Sequence, residues 1–268
     1  MTTTEDFQVS LAAAEQYEAR FVPAIFAEWA PLLADLARVT PGQSVLDVAC
    51  GTGIVARTVA DRFAGNGRVV GVDLNAGMLA VARRVRPDID WRQGDVADLP
   101  FADGSFDTVL CQMALMFFPD RDRALREMAR VARPGGVVAV AVPVALTDQP
   151  AYGPFVDMAA RVAGPEAVSL LSTYWACGDR DGLRGALTSA GLEVTDVRTH
   201  AGTARFGSAD ELAVTEAEGS PLAERLTREA YAGIRAGARE VLAPFTSPDG
   251  GLDAPLHGHL VSARVPPP

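Results

Sequence analysis

VLDVACGTG, residues 45–53, is a short apolar run that includes an acidic residue and ends in a turn with two glycines. Gly51 and Gly53 can adopt positive φ, and their lack of a side chain lets a ligand approach the backbone closely. A tight turn between a strand and a helix, with no ligand, has the same pattern. The surrounding residues are therefore needed to distinguish a structural turn from a binding loop.

Five predicted strands lie in this region, most of them apolar runs with little polar alternation, and most are separated by helical patterns. Strands of this kind are buried on both faces, which is typical of a parallel sheet covered by helices. The runs are SVLDVA (44–49), RVVGVDL (68–74), IDWRQGD (89–95), FDTVLCQMAL (106–115) and VVAVAVPV (137–144). The sequence therefore predicts an α/β, Rossmann-like, doubly wound fold.

The pattern changes after the fifth run. Two helical regions alternate there with two further strands, LEVTDVRTH (192–200) and APLHGHLVSARV (254–265), and residues 11–38 form a helical pattern before the sheet. We expect a single domain over residues 1–268. Its parts are a helical arm (1–40), a core that carries the glycine loop (41–145) and two helical lid insertions (146–180 and 207–250).

The charge balance argues against nucleic acid as a partner. Lys+Arg is 24 against Asp+Glu 34, for a net charge of −10. Proteins that bind nucleic acid usually carry a basic patch, and this chain has no run of positive charge. The sequence also contains no lysine, which excludes Schiff-base chemistry on a lysine side chain.

The three cysteines, Cys50, Cys111 and Cys177, lie far apart, so neither a metal site nor a disulfide framework is expected. The N-terminus lacks a signal-peptide pattern, and no apolar run reaches the ~18 residues of a membrane helix. We therefore predict a cytoplasmic protein with a small-molecule substrate and no membrane span, and a homodimer remains open.

Acidic residues follow the next two strands. Asp73 ends the second strand and can accept hydrogen bonds from both hydroxyls of a ribose. Asp95 follows the third strand, where an adenine amino group can donate to it. A helix N-cap for Asp73 and a turn residue for Asp95 are the structural alternatives. Together with the glycine loop, these residues indicate a nucleoside site at one edge of the sheet.

Residues 51–56 also fit the G-x-G-x-x-A fingerprint of NAD-binding proteins, with Asp73 at a suitable distance. Asp47 argues against a dinucleotide, because a negative charge beside the loop disfavours a pyrophosphate, which prefers a free helix N-terminus. The same charge suits a ligand amino group. The segment GDVADLPF (94–101) has no evident role in pyrophosphate binding. An NAD-linked oxidoreductase remains an alternative.

Five segments, in order and spacing, resemble the class I S-adenosylmethionine-dependent methyltransferases, and in particular the small-molecule branch with the ubiquinone and menaquinone C-methyltransferases. They are VLDVACGTG (45–53), VVGVDLNAGML (69–79), QGDVADLPF (93–101), FDTVLCQMAL (106–115) and LREMARVARPGG (125–136). The resemblance implies a mostly parallel seven-stranded sheet with an antiparallel last strand. It also implies S-adenosyl-L-methionine as cofactor and S-adenosyl-L-homocysteine as product.

By this resemblance, Asp47 faces the methionine amino group and Asp73 binds the ribose hydroxyls. The family usually has glycine where this chain has Ala49, which leaves the local turn open. The other implied cofactor contacts are Ala49, Gly51 and Gly53 with the amino acid part, Leu74 and Met78 with the adenine face, Asp95 and Val96 with the adenine edge, and Cys111 and Gln112 with the methionine part. The thiol of Cys111 is equally consistent with an ordinary buried apolar group.

A sulfonium already activates its methyl group, so the main catalytic task is to hold the acceptor in line with the S–CH₃ bond. A general base helps when the acceptor is a phenol, an alcohol or an acidic carbon. His257 is the first candidate for this base and His200 the second; structural roles for both, and for His259, are the alternative. Candidate substrate-pocket residues, each equally suited to core packing, are Tyr17, Phe21, Phe117, Tyr174 and Trp175.

The sequence thus predicts a methyltransferase that acts on a small, apolar or aromatic metabolite, as in secondary metabolism. The alternative is a methyltransferase-like protein that uses the bound cofactor for cyclisation, hydroxylation or decarboxylation, because a fold does not determine a function.

Overall fold

The computed structural model describes residues 9–164, 171–218 and 226–267. Seven strands form one sheet in the order β3-β2-β1-β4-β5-β7-β6. They are β1 (Ser44–Val48), β2 (Arg68–Asp73), β3 (Asp90–Gln93), β4 (Phe106–Gln112), β5 (Ala132–Pro143), β6 (Glu193–Phe206) and β7 (Leu252–Arg264). The predicted Rossmann-like, seven-stranded sheet is confirmed.

The first five strands are parallel. β1 pairs with β2 on one side and with β4 on the other, and Asp47 lies opposite Gly71 and Leu110 in these two ladders. Val45, Leu46 and Val48 of β1 are fully buried. Burial on both faces explains why this strand has a continuous apolar run in the sequence.

β7 runs antiparallel to β5, as the resemblance implied. The N–H of Gly135 donates to the carbonyl of Val265 at 2.9 Å, and the N–H of Val265 donates to the carbonyl of Gly136 at 3.0 Å. This reciprocal exchange is the hydrogen-bond pattern of an antiparallel pair.

The α-helices of the described residues follow the predicted pattern. They are α1 (Leu11–Gln16), α2 (Trp29–Leu36), α3 (Ile54–Phe63), α4 (Ala76–Val85), α5 (Arg121–Val131), α6 (Tyr152–Ala163), α7 (Arg180–Ser189), α8 (Ala209–Glu218) and α9 (Arg228–Val241). None of the helices in these parts of the chain is long and apolar enough to cross a membrane. The predicted helical regions also include residues 165–170 and 219–225, which lie outside the described residues.

The N-terminal arm is not one continuous helix, as the pattern over residues 11–38 had suggested. A π-helix, Tyr17–Phe26, separates α1 from α2 and contains Pro23. Proline lacks the N–H that an α-helix requires, and π-helical segments are frequent at functional sites.

The chain divides into two compact units. The first comprises Met1–Val142, Arg180–Arg198 and His259–Pro268, and contains the glycine loop. The second comprises Pro143–Asp179 and Thr199–Gly258, and contains α6, α8 and α9. The predicted lid insertions fall largely within the second unit.

Candidate functional site

The glycine loop follows β1 at the point where the sheet order reverses. The chain proceeds from β1 to β2 and β3 on one side, and then returns to β4 on the other side. Ligands of open α/β sheets bind beyond the carboxyl ends of the strands at such a switch point. The predicted cofactor residues after β1, β2 and β4 are therefore at the edge where this fold binds its ligand.

The backbone of the loop is left-handed at three alternate positions. Ala49, Gly51 and Gly53 have φ of 53°, 55° and 91°. This conformation is strain-free for glycine and costs a residue with a Cβ atom roughly 1–2 kcal/mol. The turn therefore keeps its shape although alanine stands at residue 49.

Asp73 connects the glycine loop to the end of β2. Its Oδ2 accepts the N–H of Gly51 at 2.7 Å, and its Oδ1 accepts the N–H of Asn75 at 2.8 Å. Burial raises the pKa of Asp73, against the lowering effect of these two hydrogen bonds. The N-cap of α4 is Asn75, whose side chain accepts from Met78, so Asp73 is not that cap. Each carboxylate oxygen of Asp73 retains a second lone pair for a hydroxyl donor.

Asp47 is almost fully buried and accepts the N–H of Ala56 at 2.9 Å. Ala56 is the third residue of α3, so Asp47 caps this helix from β1, a role that the sequence did not suggest. Burial raises the pKa of Asp47 to about 8. Because the carboxyl group of Asp47 takes an N–H at the start of α3, that donor is not available to a pyrophosphate. The geometry thus disfavours the NAD alternative.

Two buried polar atoms near the site lack a hydrogen-bond partner among the described residues. They are Oε1 of Gln112, at the end of β4, and Oγ1 of Thr52, inside the glycine loop. The Nε2 of Gln112 donates to the carbonyl of Phe26 at 3.1 Å, which orients the amide. Buried polar groups are normally paired, so these atoms fit a polar ligand such as an amino acid moiety.

Tyr17, a predicted pocket residue, lies over the glycine loop. A Cβ atom added to Gly51 would lie 3.7 Å from the Tyr17 ring, in ordinary contact. The ring stacks on Phe21, the other predicted aromatic of the arm, at 5.7 Å, and on Phe26 at 5.3 Å. Burial raises the pKa of Tyr17, and the charge of Asp73 adds to this effect. These contacts bring the π-helix beside the predicted cofactor residues.

An ion pair fixes the π-helix to α3. The guanidinium of Arg57 donates to both carboxylate oxygens of Glu18, at 2.8 and 3.2 Å. The two side chains are 11% and 23% exposed. A bidentate pair with little solvent access is better ordered than an exposed one. Neither residue was predicted from the sequence.

Trp91 was also not predicted from the sequence, although its indole packs against Gly53 of the loop and Gly71 of β2. A Cβ atom on Gly53 would lie 2.1 Å from the ring, and one on Gly71 would lie 2.3 Å from it. Gly53 is therefore required by the packing of Trp91 as well as by its backbone conformation. The indole Nε1 donates to the carbonyl of Arg86 at 2.8 Å, which fixes the ring.

The other predicted cofactor residues differ in how far their side chains are exposed. Asp95 is exposed and its Oδ1 accepts the N–H of Ala97 at 2.8 Å, which is the turn role considered from the sequence. The side chains of Leu74, Met78 and Val96 are partly buried, while that of Cys111 is fully buried. Burial of Cys111 supports the apolar interpretation of its thiol.

The two candidate bases belong to the second unit, and their catalytic role stays a prediction. His200 and His257 lie within β6 and β7, and not at strand ends as expected, because both strands are longer than the sequence pattern indicated. The extension of β6 alternates in burial at Gly202, Ala204 and Phe206, and two of these residues are too small to give a clear apolar signal.

The remaining predicted pocket residues are divided between the units. Phe117, in the first unit, is 41% exposed. Tyr174 and Trp175 lie in a 3₁₀ turn of the second unit, Thr173–Trp175, and their rings meet edge to face at 5.2 Å.

The backbone of His257 is held by the buried side chain of Gln149. The amide of Gln149 accepts the N–H of His257 at 2.9 Å and donates to its carbonyl at 2.8 Å.

Comparison with protein families gives a match over the sheet core. Residues 46–140 match the family described as methyltransferase domain. The demethylmenaquinone methyltransferase of Renibacterium salmoninarum is 46% identical over 127 residues, which are 47% of this chain and 51% of that enzyme. This chain thus spans about half the length of the curated relatives that it matches.

Solved structures show the same fold across most of the chain. Phosphoethanolamine N-methyltransferase 2 of Haemonchus contortus, in complex with S-adenosyl-L-methionine, aligns with a TM-score of 0.63 at 21% identity, over 100% of this chain and 61% of that one. The (4+2)-cyclase SpnF aligns with a TM-score of 0.56 at 24% identity, over 90% and 81%. At these identities the likeness establishes the fold.

Proposed function

We propose that this chain, whose residues 46–140 match the methyltransferase domain family, transfers a methyl group from S-adenosyl-L-methionine to a small apolar acceptor of the quinone type. The acceptor class follows from the similarity to a demethylmenaquinone methyltransferase. Met113, Met116 and Phe118, which follow β4, are apolar and consistent with it.

The observation that carries the proposal is the arrangement of Asp73 with the glycine loop. Its carboxylate receives two backbone N–H groups and keeps lone pairs for a ribose. Asp47 then provides a carboxylate for the amino group of the cofactor, and the free Oε1 of Gln112 provides a further acceptor. This donor and acceptor set fits an amino acid joined to a nucleoside better than a dinucleotide.

When bound, the cofactor supplies an electrophilic methyl group on its sulfonium. The residues of this chain then have three tasks, which are to bind the nucleoside, to orient the amino acid part and to keep water from the loop. We assign the first to Asp73, the second to Asp47 and Gln112, and the third to Tyr17 above Gly51. His257 or His200 remains the proposed base on the acceptor side.

We further propose that the protein is one functional domain, and Tyr174 and Trp175 remain proposed acceptor contacts. A cytoplasmic location agrees with three cysteines that the sequence spaces too far apart for a disulfide framework. A homodimer is the assembly that size-exclusion chromatography with light scattering should test.

Two measurements test the proposed function. Titration calorimetry should show binding of S-adenosyl-L-homocysteine and not of NAD. Transfer of label from methyl-labelled cofactor to reduced 1,4-naphthoquinone should then establish the activity. Binding of the cofactor with no labelled product, but with a cyclised, hydroxylated or decarboxylated one, would favour the alternative chemistry that the likeness to SpnF allows.

A further inference from the structure

A second pocket lies in the first unit, at the amino edge of the sheet, where the parallel strands begin. It is open to solvent, has a volume of about 300 Å³, and is lined by the end of α2, the starts of β4, β5 and β6, and the end of β7. The N–H of Ser44, the first residue of β1, donates to Asp107 in the wall of this pocket at 2.7 Å. The glycine loop follows the other end of β1, roughly 15 Å away along the strand. The pocket is therefore separate from the candidate cofactor site.

The charged residues of this pocket leave an excess of positive charge. They are three arginines and two aspartates, namely Arg38, Arg133, Arg264, Asp107 and Asp196. Asp107 pairs with Arg133, and Asp196 pairs with Arg198, which lies outside the lining. Within the described parts of the chain, the side chains of Arg38 and Arg264 form neither an ion pair nor a hydrogen bond. Two uncompensated cations thus share one pocket in a protein whose net charge is −10.

Arg38 occupies a position where the backbone favours glycine. Its φ is 54°, and it follows α2 in a Schellman motif, in which the N–H of Arg38 donates to Asp35 and that of Val39 to Ala34, both at 3.0 Å. These bonds already satisfy carbonyls of the last helical turn. Glycine is the usual residue here, because a Cβ atom makes the left-handed conformation costly. An arginine is present in spite of that cost, and backbone outliers of this kind cluster at ligand sites.

Further N–H donors line the same pocket. Oε1 of Gln43 accepts the N–H of Thr40 at 2.9 Å, and its Nε2 has no partner among the described residues. The Nε of Arg133 donates to Asp107, while the two Nη groups of Arg133 have no partner in this part of the chain. The planar guanidinium group matches the oxygens of phosphate and carboxylate groups. The unengaged donors therefore suit an anion with several oxygens.

We propose that this pocket binds a small phosphate-bearing anion, such as pyrophosphate or a small phosphate ester. Arg38 and Arg264 provide the charge, and the Nη groups of Arg133 and the amide of Gln43 provide further hydrogen bonds. A phosphate group carries up to two charges on neighbouring oxygens, which suits two guanidinium groups better than a single carboxylate does. A volume of about 300 Å³ is at the lower end for ligand pockets, so the ligand is small. The site is independent of the proposed methyl transfer, since that cofactor has no phosphate.

Titration calorimetry with pyrophosphate, in a buffer of low salt without phosphate, tests the proposal. We expect the unchanged protein to bind it, with an affinity that falls as NaCl rises from about 50 to about 500 mM, because salt screens charges in an open pocket. Arg38→Gln and Arg264→Gln should each weaken binding roughly tenfold, which corresponds to the loss of one hydrogen bond to a charged group.

Arg184→Gln is the matched control. It removes the same charge from an exposed residue of α7 in the same unit, and this residue does not line the pocket. This variant should bind pyrophosphate as the unchanged protein does. Arg38→Gly adds a second measurement, because glycine relieves the left-handed backbone. It should unfold at a higher urea concentration than the unchanged protein and yet bind pyrophosphate more weakly, which excludes unfolding as the cause of the loss.

Three results would overturn the proposal. The first is no binding of pyrophosphate at millimolar concentration, or equal weakening by Arg184→Gln. The second is binding of citrate that depends on Arg38 and Arg264 without binding of pyrophosphate, which would assign the pocket to carboxylates. The third is displacement of pyrophosphate by S-adenosyl-L-homocysteine, which would place the anion in the cofactor site. A protein that binds pyrophosphate through these arginines but transfers no methyl group would refute the proposed function alone.

Discussion

The N–H of Gly51 donates to the carboxylate of Asp73 across 2.7 Å, and this bond joins the loop after β1 to the end of β2. The residue that we expect to bind the ribose is thus also the residue that fixes the glycine loop. A change at Asp73 should therefore affect both the nucleoside and the amino acid part of the cofactor.

We predict that Asp73→Ala weakens S-adenosyl-L-homocysteine binding by roughly 1–3 kcal/mol, the cost of leaving buried donors without a charged acceptor. Titration calorimetry measures the change. Asp90→Ala is a suitable control, because Asp90 is exposed in β3 and pairs with Arg92 at the surface. Unchanged affinity in a folded Asp73→Ala protein would show that the ribose is held elsewhere.

The pKa of about 8 at Asp47 predicts that cofactor affinity depends on pH. The free protein holds a proton on this carboxyl below pH 8, and the ammonium of the cofactor requires it to leave. Affinity for S-adenosyl-L-homocysteine should therefore rise between about pH 6 and 8, by up to roughly tenfold per unit. Calorimetry in buffers of different ionisation enthalpy should detect release of a proton.

Asp47→Asn should abolish both the rise in affinity with pH and the proton release. The variant should also bind S-adenosyl-L-homocysteine more weakly at pH 8. If the variant retained the same pH dependence, another group would be responsible for it.

A third prediction concerns Trp91 and the glycine that it covers. Gly42 and Gly53 have φ of 94° and 91°, but the Cβ position of Gly42 has no atom within 4 Å. Gly42→Ala should lower the free energy of unfolding by roughly 1–2 kcal/mol, the cost of a left-handed backbone conformation for a residue with a Cβ atom. Gly53→Ala should cost about 1–3 kcal/mol more, since the methyl group would overlap the indole. Urea unfolding of both variants measures the difference.

Combining Gly53→Ala with Trp91→Leu should recover part of that loss, because the clash disappears with the indole. Strictly additive effects of the two substitutions would show that Trp91 is not the source of the strain.

The fourth prediction is a stability effect at Glu216, a partly buried residue of α8. Its pKa in the folded protein is raised from 4.5 to about 7, so folding favours the protonated form. The associated stability is fully present below pH 4.5 and is lost as the pH rises through 7. This rise in pKa corresponds to roughly 3 kcal/mol of unfolding free energy. Partial access of solvent to the carboxyl group reduces the expected effect to about 2 kcal/mol.

Glu216→Gln should accordingly unfold at a higher urea concentration than the unchanged protein at pH 8, and at a similar one at pH 4.5. Equal midpoints at both pH values would mean that Glu216 is solvated.

The sheet was predictable because its central strands, β1 and β4, are buried on both faces and therefore have nearly continuous apolar runs. The ends of β6 and β7 were not, because small buried residues such as Gly202 and Ala204 resemble turn residues in a sequence. Asp47 and Asp73 could be chosen from their spacing, whereas the Ala56 N–H that Asp47 binds is a property of the fold. The role of Trp91 gave no signal, because it packs against Gly53 and Gly71, which are distant in the sequence.

The indole of Trp91 fills the space that side chains at residues 53 and 71 would otherwise occupy. These three positions should therefore vary together in natural relatives. A relative with a larger residue at either glycine should carry a smaller side chain at the position of the indole. The loop of VLDVACGTG is thus coupled in its evolution to a strand two places away in the sheet, and a motif search confined to the loop would overlook that dependence.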